Sequence, residues 1–275
     1  MRAVARSKYC AKPIVPNETS MSTATVTVQA KPRRGADPRW TFDQSAADML
    51  DRARPADRVH LEKIFSRIDV KSVETIRAKY AKEIEEKFPK EPSGGMKYLD
   101  LPYWLNHKLA LALRLDLDKR APMDILDLGT GAAHFLAVCQ GFGHRCIGSD
   151  VAIPLYADIA ECLGVTRVIE RIEPLKPLQP RGLKFDLVSA IWISFNSIGF
   201  TKSGKRIYWS LDHWRYLVED LKANHLKRPG LIHFELNTEY DCEANTDEFN
   251  KPLMDVFKGW SATVDERNGR MTLPV

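Results

Sequence analysis

The run Asp124-Ile-Leu-Asp-Leu-Gly-Thr-Gly-Ala-Ala-His-Phe135 decides how the rest of the chain is read. It is patterned as a short buried strand, Ile125 to Leu128, then a glycine turn, then a helix from near Ala132. Gly129 and Gly131 permit dihedrals that a side chain forbids and let backbone come close to a ligand. A helix starting there aims unpaired N–H groups and a positive dipole end into the same space. Asp127 stands at the mouth of the strand. The combination predicts a hollow for a small molecule that carries both an anionic and a cationic group.

A dinucleotide-binding loop needs a third glycine, where helix and strand pack beside a pyrophosphate. His134 occupies that place, and an acid stands two residues before Gly129. Both departures count against a pyrophosphate. Asp127-Leu-Gly-Thr-Gly131 resembles motif I of the class I S-adenosylmethionine-dependent methyltransferases, whose donor ends in an amino acid and carries no phosphate. Arg145-Cys-Ile-Gly-Ser-Asp150 then reads as a second strand ending in an acid at the spacing of a ribose-binding carboxylate. The resemblance gives Asp150 that role toward the methyl donor. The plainer reading is a cap for a helix beginning near Ile153.

The 275 residues suit one domain with extensions, and 28% charged with 44% hydrophobic residues describe a soluble globular protein. No apolar run approaches the roughly 18 residues of a membrane span. Cys10, Cys139, Cys146, Cys162 and Cys242 are odd in number without a C-x-x-C pair, which predicts free thiols in a reducing, cytoplasmic compartment and no metal site. The net charge of +5 is unevenly spread. Eight of the 41 basic and two of the 36 acidic residues fall in 1–40, leaving 33 and 34 for a nearly neutral body. That balance weighs against a nucleic-acid partner and toward a small-molecule acceptor.

Residues 1–39 mix Ser, Thr, Pro, Ala and basic residues without periodicity, and read as a disordered basic tail. Arg2, Arg6, Lys8 and Lys12 also fit a transit peptide, and Met21 also fits an internal start. Residues 40–118 read as a helical cover. Phe42–Leu50 forms one helix, Ser72–Phe88 a second with Val73, Ile76, Tyr80 and Ile84 on one face, and Tyr98–Leu117 a third. The cover either encloses a substrate or packs on the sheet edge. Residues 119–275 hold the strands: after the two above come Thr166–Glu170, Lys184–Trp192 and Leu231–Leu236. A helix from about Ile207 precedes the last of these. Pro174, Pro177, Pro180 and Gly182 leave no room for a crossover helix after the third strand. Asn268-Gly269 marks a closing hairpin. The expectation is an α/β, Rossmann-like doubly wound sheet, mostly parallel, with a C-terminal antiparallel hairpin strand and N-terminal helices.

Open α/β sheets bind ligands at the carboxyl ends of their strands. That rule selects Asp127 to Gly131 with Thr130 between, Asp150, Arg171 to Glu173, and Ala190 to Asn196. The resemblance implies that Asp127 meets the donor's amino end, that Ile172, or Glu173 in its stead, lies against adenine, and that Ala190 borders the reacting methyl. It also lets Tyr98 fold over the methionine end. Phe195 is placed to wall a sulfonium cation. Trp192-Ile-Ser-Phe-Asn196 lacks the N/D-P-P-Y tetrad of enzymes that methylate exocyclic base amines. His213 and Asn196 are the catalytic candidates; each also fits a structural role, as an exposed helix residue and a loop residue.

The implied chemistry is in-line displacement of a methyl group from S-adenosyl-L-methionine, which asks the protein mainly for alignment and exclusion of water. Two alternatives stay open: an RNA or protein methyltransferase tethered by the basic tail, and a nicotinamide-dependent oxidoreductase on a similar sheet.

Overall fold

Period-two alternation along the apolar strands lets one sheet divide two cores. The computed structural model describes residues 35–88, 94–179, 182–202, 206–241 and 246–275. Residues 1–34, with Cys10 and Met21, and also Cys242, lie outside them, as does the expectation of disorder there. β1 (Asp124–Leu128), β2 (Arg145–Asp150), β3 (Thr166–Ile169) and β4 (Phe185–Ile191) fall where the sequence places strands. β5 (Ser197–Phe200) and β6 (Arg206–Tyr208) form a separate antiparallel hairpin. β7 (Leu226–Glu235) is the fifth parallel strand, β8 (Glu239–Asp241) pairs with β9 (Thr246–Glu248), and β10 (Thr263–Asp265) and β11 (Arg270–Pro274) end the chain.

Among the described residues the main sheet runs β10-β11-β7-β4-β1-β2-β3. β3, β2, β1, β4 and β7 are parallel, while β11 lies antiparallel to β7 and β10 antiparallel to β11. The chain steps outward from β1 to β3 and returns to β4 on the other side of β1. The switch point therefore falls between β1 and β4, where a doubly wound sheet opens a crevice. This is the expected Rossmann-like architecture. The connection from β3 to β4 holds no helix among its described residues, as its prolines require.

Nine helices flank the sheet among the described residues: α1 (Phe42–Arg52), α2 (Pro55–Phe65), α3 (Val70–Lys79), α4 (Ala81–Lys87), α5 (Leu101–Arg114), α6 (His134–Gly141), α7 (Pro154–Cys162), α8 (Leu211–Asp220) and α9 (Lys251–Gly259). Ile125 and Leu187 face α6 and α7, and α1 to α5 bury Met49, Leu61, Val73 and Leu105 into that same core. Leu126, Val188 and Phe234 face α8 and α9, around the fully buried Trp214 and Phe257. Gly35–Val275 is one compact unit, so the 118/119 boundary separates two sequence patterns that share a core.

Several boundaries differ from expectation for identifiable reasons. The tail loses its last five residues to the fold: the Asp37 N–H donates to Asp100 at 2.7 Å, and Arg77 grips the carbonyls of Pro38 and Arg39. The helix read as Ser72–Phe88 begins at Val70, capped by Asp69, and breaks at Tyr80, whose hydroxyl donates to Asp158 on α7 at 2.8 Å. Tyr98 lies in a 3₁₀ turn, Gly95–Leu99, and α5 starts after it with Pro102 in a first turn that needs no N–H. The helix expected from Ile207 starts at Leu211, because residues 206–208 pair with 197–200 and Ser210 caps α8. β7 begins five residues early. Phe185 pairs with Leu226 and Leu187 with Leu231, so residues 227–230 form a bulge that carries Pro229 without breaking the ladder. At the closing hairpin Asn268 ends a 3₁₀ turn and Gly269 comes next at φ 61°, a longer connection than an Asn-Gly pair alone predicts. No helix among the described residues is long and apolar enough to cross a membrane.

Candidate functional site

β1 leaves the sheet at Leu128 and turns through three left-handed residues, Gly129 (φ 67°), Gly131 (φ 57°) and Ala133 (φ 62°). α6 consequently starts at His134, two residues later than the sequence suggests. Ala133 has a Cβ, and the left-handed region costs such a residue about 1–2 kcal/mol. Strain of this kind persists only where its surroundings enforce it. Here β2 does. The N–H groups of Gly129 and Thr130 both donate to the Ser149 carbonyl, at 2.7 and 3.2 Å. The Gly131 N–H donates to Asp150 Oδ2 at 2.6 Å, and the other carboxylate oxygen accepts the Val151 N–H at 2.7 Å. The donors of residues 129–131 are thus engaged by β2. What the loop offers a ligand is proximity: a Cβ on Gly131 would have no heavy atom within 4 Å.

A cavity of about 860 Å³ opens over the carboxyl ends of β1, β2 and β4. Of the residues singled out in the sequence, it brings together Tyr98, Asp127, Gly129, Thr130, Gly131, Asp150, Ile172, Glu173 and Phe195. Three others lie apart from its lining. Ala190 sits in register between Leu128 and Phe234, inside the core on the α8 side. Ile191 and Trp192 line the cavity in its place. Asn196 is buried, with Nδ2 donating to Glu239 at 3.3 Å, and so ties the loop after β4 to β8. His213 completes the capping box of α8, its Nδ1 accepting the Ser210 N–H at 3.3 Å. Neither catalytic candidate therefore faces a ligand in the cavity. His233, mid-strand, bonds Thr272 at 2.9 Å, as an interior histidine does.

Burial sets the electrostatics. It pushes the Asp127 carboxyl up to about 6, against the Ser189 hydroxyl, which donates to it at 2.7 Å, and against the charge of Lys108. It draws the Lys108 ammonium down to about 8, opposed by Asp127 and Glu235. Burial, helped by the Lys108 charge, takes His134 down to about 3, so its ring is neutral and Nε2 donates to the Tyr98 carbonyl at 3.1 Å. Tyr98, Trp104 and Tyr156 form one aromatic wall, with ring centres 4.9 and 5.4 Å apart.

Lys108 was not singled out from sequence, and Trp192 entered only as the first residue of the Trp192–Asn196 run, without a role of its own. The Lys108 ammonium lies 3.5 Å from the centre of the Trp192 ring, and both residues line the cavity. Trp192 is itself left-handed at φ 52° and is held there from both sides. Its N–H donates to the Glu235 carbonyl at 2.7 Å, while its carbonyl accepts from Asn237 at 2.8 Å. A signal for Lys108 exists in the sequence: it falls on the stripe of Leu101, Leu105 and Ala112, where a helix buries its side chains. No cluster of three or more metal-ligating side chains occurs among the described residues.

No known family profile matches the chain, and no curated protein sequence matches it. Solved structures do resemble it. A ribosomal protein L11 methylase from Lactobacillus delbrueckii subsp. bulgaricus is 16% identical with a TM-score of 0.38, over 62% of this chain and 78% of that one. The DhpI–SAH complex is 14% identical with a TM-score of 0.41, over 73% of this chain and 92% of its own. CalS10, an amino pentose methyltransferase from Micromonospora echinaspora, is 19% identical with a TM-score of 0.36, over 53% of this chain and 54% of its own. The fold assignment rests on strand order and register.

Proposed function

We propose that the chain is an S-adenosyl-L-methionine-dependent methyltransferase whose acceptor is a small molecule. One observation carries the reading: the crevice presents acceptors where a dinucleotide would need donors. The N–H groups of residues 129–131 are engaged within the protein, and two carboxylates, Asp127 and Asp150, border the loop. A pyrophosphate would meet negative charge there. A ligand with an ammonium group and ribose hydroxyls would meet hydrogen-bond acceptors. This weighs against the nicotinamide reading.

The residues fit such a donor. Asp150 uses one lone pair of each oxygen on backbone N–H groups, which leaves the others to accept ribose hydroxyls and holds the carboxylate still. Asp127 takes the amino end, the Gly129–Gly131 backbone lies close by, Ile172 packs on the base and Tyr98 closes over the methionine end. When bound, the donor supplies a methyl group already activated on sulfur. The chain then has to align the acceptor, shed water and stabilise positive charge. Phe195, whose ring packs against Gly129, presents an aromatic face for that charge.

Calorimetric titration with S-adenosylhomocysteine, against a nicotinamide dinucleotide as control, tests the donor. Saturable binding of the first alone is expected, and the reverse result sinks the proposal. The acceptor class is tested by removing residues 1–34, which keeps the Asp37–Asp100 hydrogen bond. Loss of affinity for RNA or an acidic protein on truncation would favour the tethered alternative.

A further inference from the structure

We propose that Lys108 and Trp192 form a subsite for the acid group of the acceptor, so that the methylated molecule is an anion carrying a carboxylate or a similar oxyanion on a flat or apolar body. The proposal rests on the methyltransferase reading for the identity of the second ligand, but not for the existence of the subsite.

A lysine kept for structure is paired, because burying a lone charge is costly. Lys108 is 9% exposed; Asp127 and Glu235 act on its ammonium group through space, without an ion pair within 4 Å to it among the described residues. Its close partner is the Trp192 ring. A π face attracts a cation without neutralising it and without using its hydrogen-bond donors. The ammonium therefore keeps its capacity for an oxyanion, at a surface of the cavity.

Place separates this subsite from the donor's sugar and base. The groups assigned to the donor's sugar and base, Asp150 and Ile172, come from the β2 and β3 side of β1. Lys108 comes from α5, and Trp192 from the end of β4, on the opposite side. The cavity is near the top of the range of about 300–1,000 Å³ that holds a drug-sized ligand, which leaves room for a second small reactant. Trp104 faces Trp192 with ring centres 6.4 Å apart, giving that reactant an apolar wall. The backbone hydrogen bonds that hold Trp192 at positive φ fix this wall before anything binds.

The experiment uses benzoate as probe and neutral benzamide as its isostere, titrated into the full chain with and without saturating S-adenosylhomocysteine. Benzoate should bind at least tenfold more tightly than benzamide. Lys108→Met should reduce that preference below twofold, Lys108→Arg should keep part of it, and both variants should bind S-adenosylhomocysteine within threefold of wild type. Equal affinity of the two probes for wild type overturns the proposal, and needs no variant to fold. A tenfold loss of S-adenosylhomocysteine affinity in Lys108→Met, with 5′-methylthioadenosine unaffected, also overturns it, since Lys108 would then hold the donor's own carboxylate. Discrimination of benzoate by a protein that does not bind S-adenosylhomocysteine would retain the subsite and remove the methyltransferase reading.

Discussion

Asp150 closes the glycine loop as well as facing the cavity: its Oδ2 accepts the Gly131 N–H at 2.6 Å. Asp150→Ala should therefore act on both stability and binding. Two backbone N–H groups lose a charged acceptor, at a cost of about 1–3 kcal/mol to the fold. Two ribose hydrogen bonds lost together correspond to roughly a hundredfold or more in affinity for S-adenosylhomocysteine. Thermal denaturation and calorimetry separate the two effects. Equal affinity in both proteins would remove Asp150 from the site.

Asp127 carries a pH dependence of opposite sign to an ion-paired carboxylate. Burial holds its folded value at about 6, above an unfolded value near 3.9. The folded state thus binds the proton more tightly, and stability falls as pH rises from about 4 to 6, then levels. Asp127→Asn should flatten that slope and raise the melting temperature at pH 7.5 by a few degrees. It should also weaken S-adenosylhomocysteine at least tenfold, because the amino end loses its counter-charge. A variant that melts lower at pH 7.5 would show that the Ser189 hydrogen bond outweighs the burial of the charge.

Glu235 shows the ordinary sign. Its carboxylate is 1% exposed; burial alone would raise it, but His233, Arg114 and Arg270 together hold it at about 2. Arg114 and Arg270 each lie 2.9 Å from Oε1. This contribution is fully present above pH ~4.5 and fades as pH falls toward 2. Glu235→Gln should cost about 1–3 kcal/mol in urea unfolding at pH 7, less than a fully buried pair would lose because Arg114 is partly solvated. The gap from wild type should narrow at pH 3.5; a constant gap would locate the effect in packing.

Gly148 lies opposite Asp127 in the sheet, and a Cβ there would fall 2.5 Å from Thr130 Cγ2. Gly148→Ala should push the loop outward, destabilising by about 1–3 kcal/mol and weakening the donor. Thr130→Ala should recover part of both losses. Strict additivity in the double-mutant cycle would mean the contact is not the cause.

The central strands were legible because β4 is a strongly apolar run, as a sheet covered on both faces demands, because β1 carries Ile125, Leu126 and Leu128, and because β2 follows the glycine loop at a set spacing. The glycine loop and Asp150 were legible by spacing. Ala190 was misplaced by one residue, and in a strand one residue is the difference between the core and the crevice. The β5–β6 hairpin escaped notice because it exposes Ile198, Phe200 and Ile207, an apolar pattern without a core behind it. Lys108 was passed over because a cation on a buried stripe contradicts the pattern that defines the stripe. Such contradictions are where function is to be sought.

The packing of α5 on α6 has a practical corollary for anyone trimming or grafting this protein. A fragment cut at Lys119 would keep all seven strands of the main sheet yet present Phe135 and Leu136 to solvent and leave the His134 ring without the Tyr98 carbonyl. The glycine turn travels only with its N-terminal helices. The compact unit that carries both begins at Gly35.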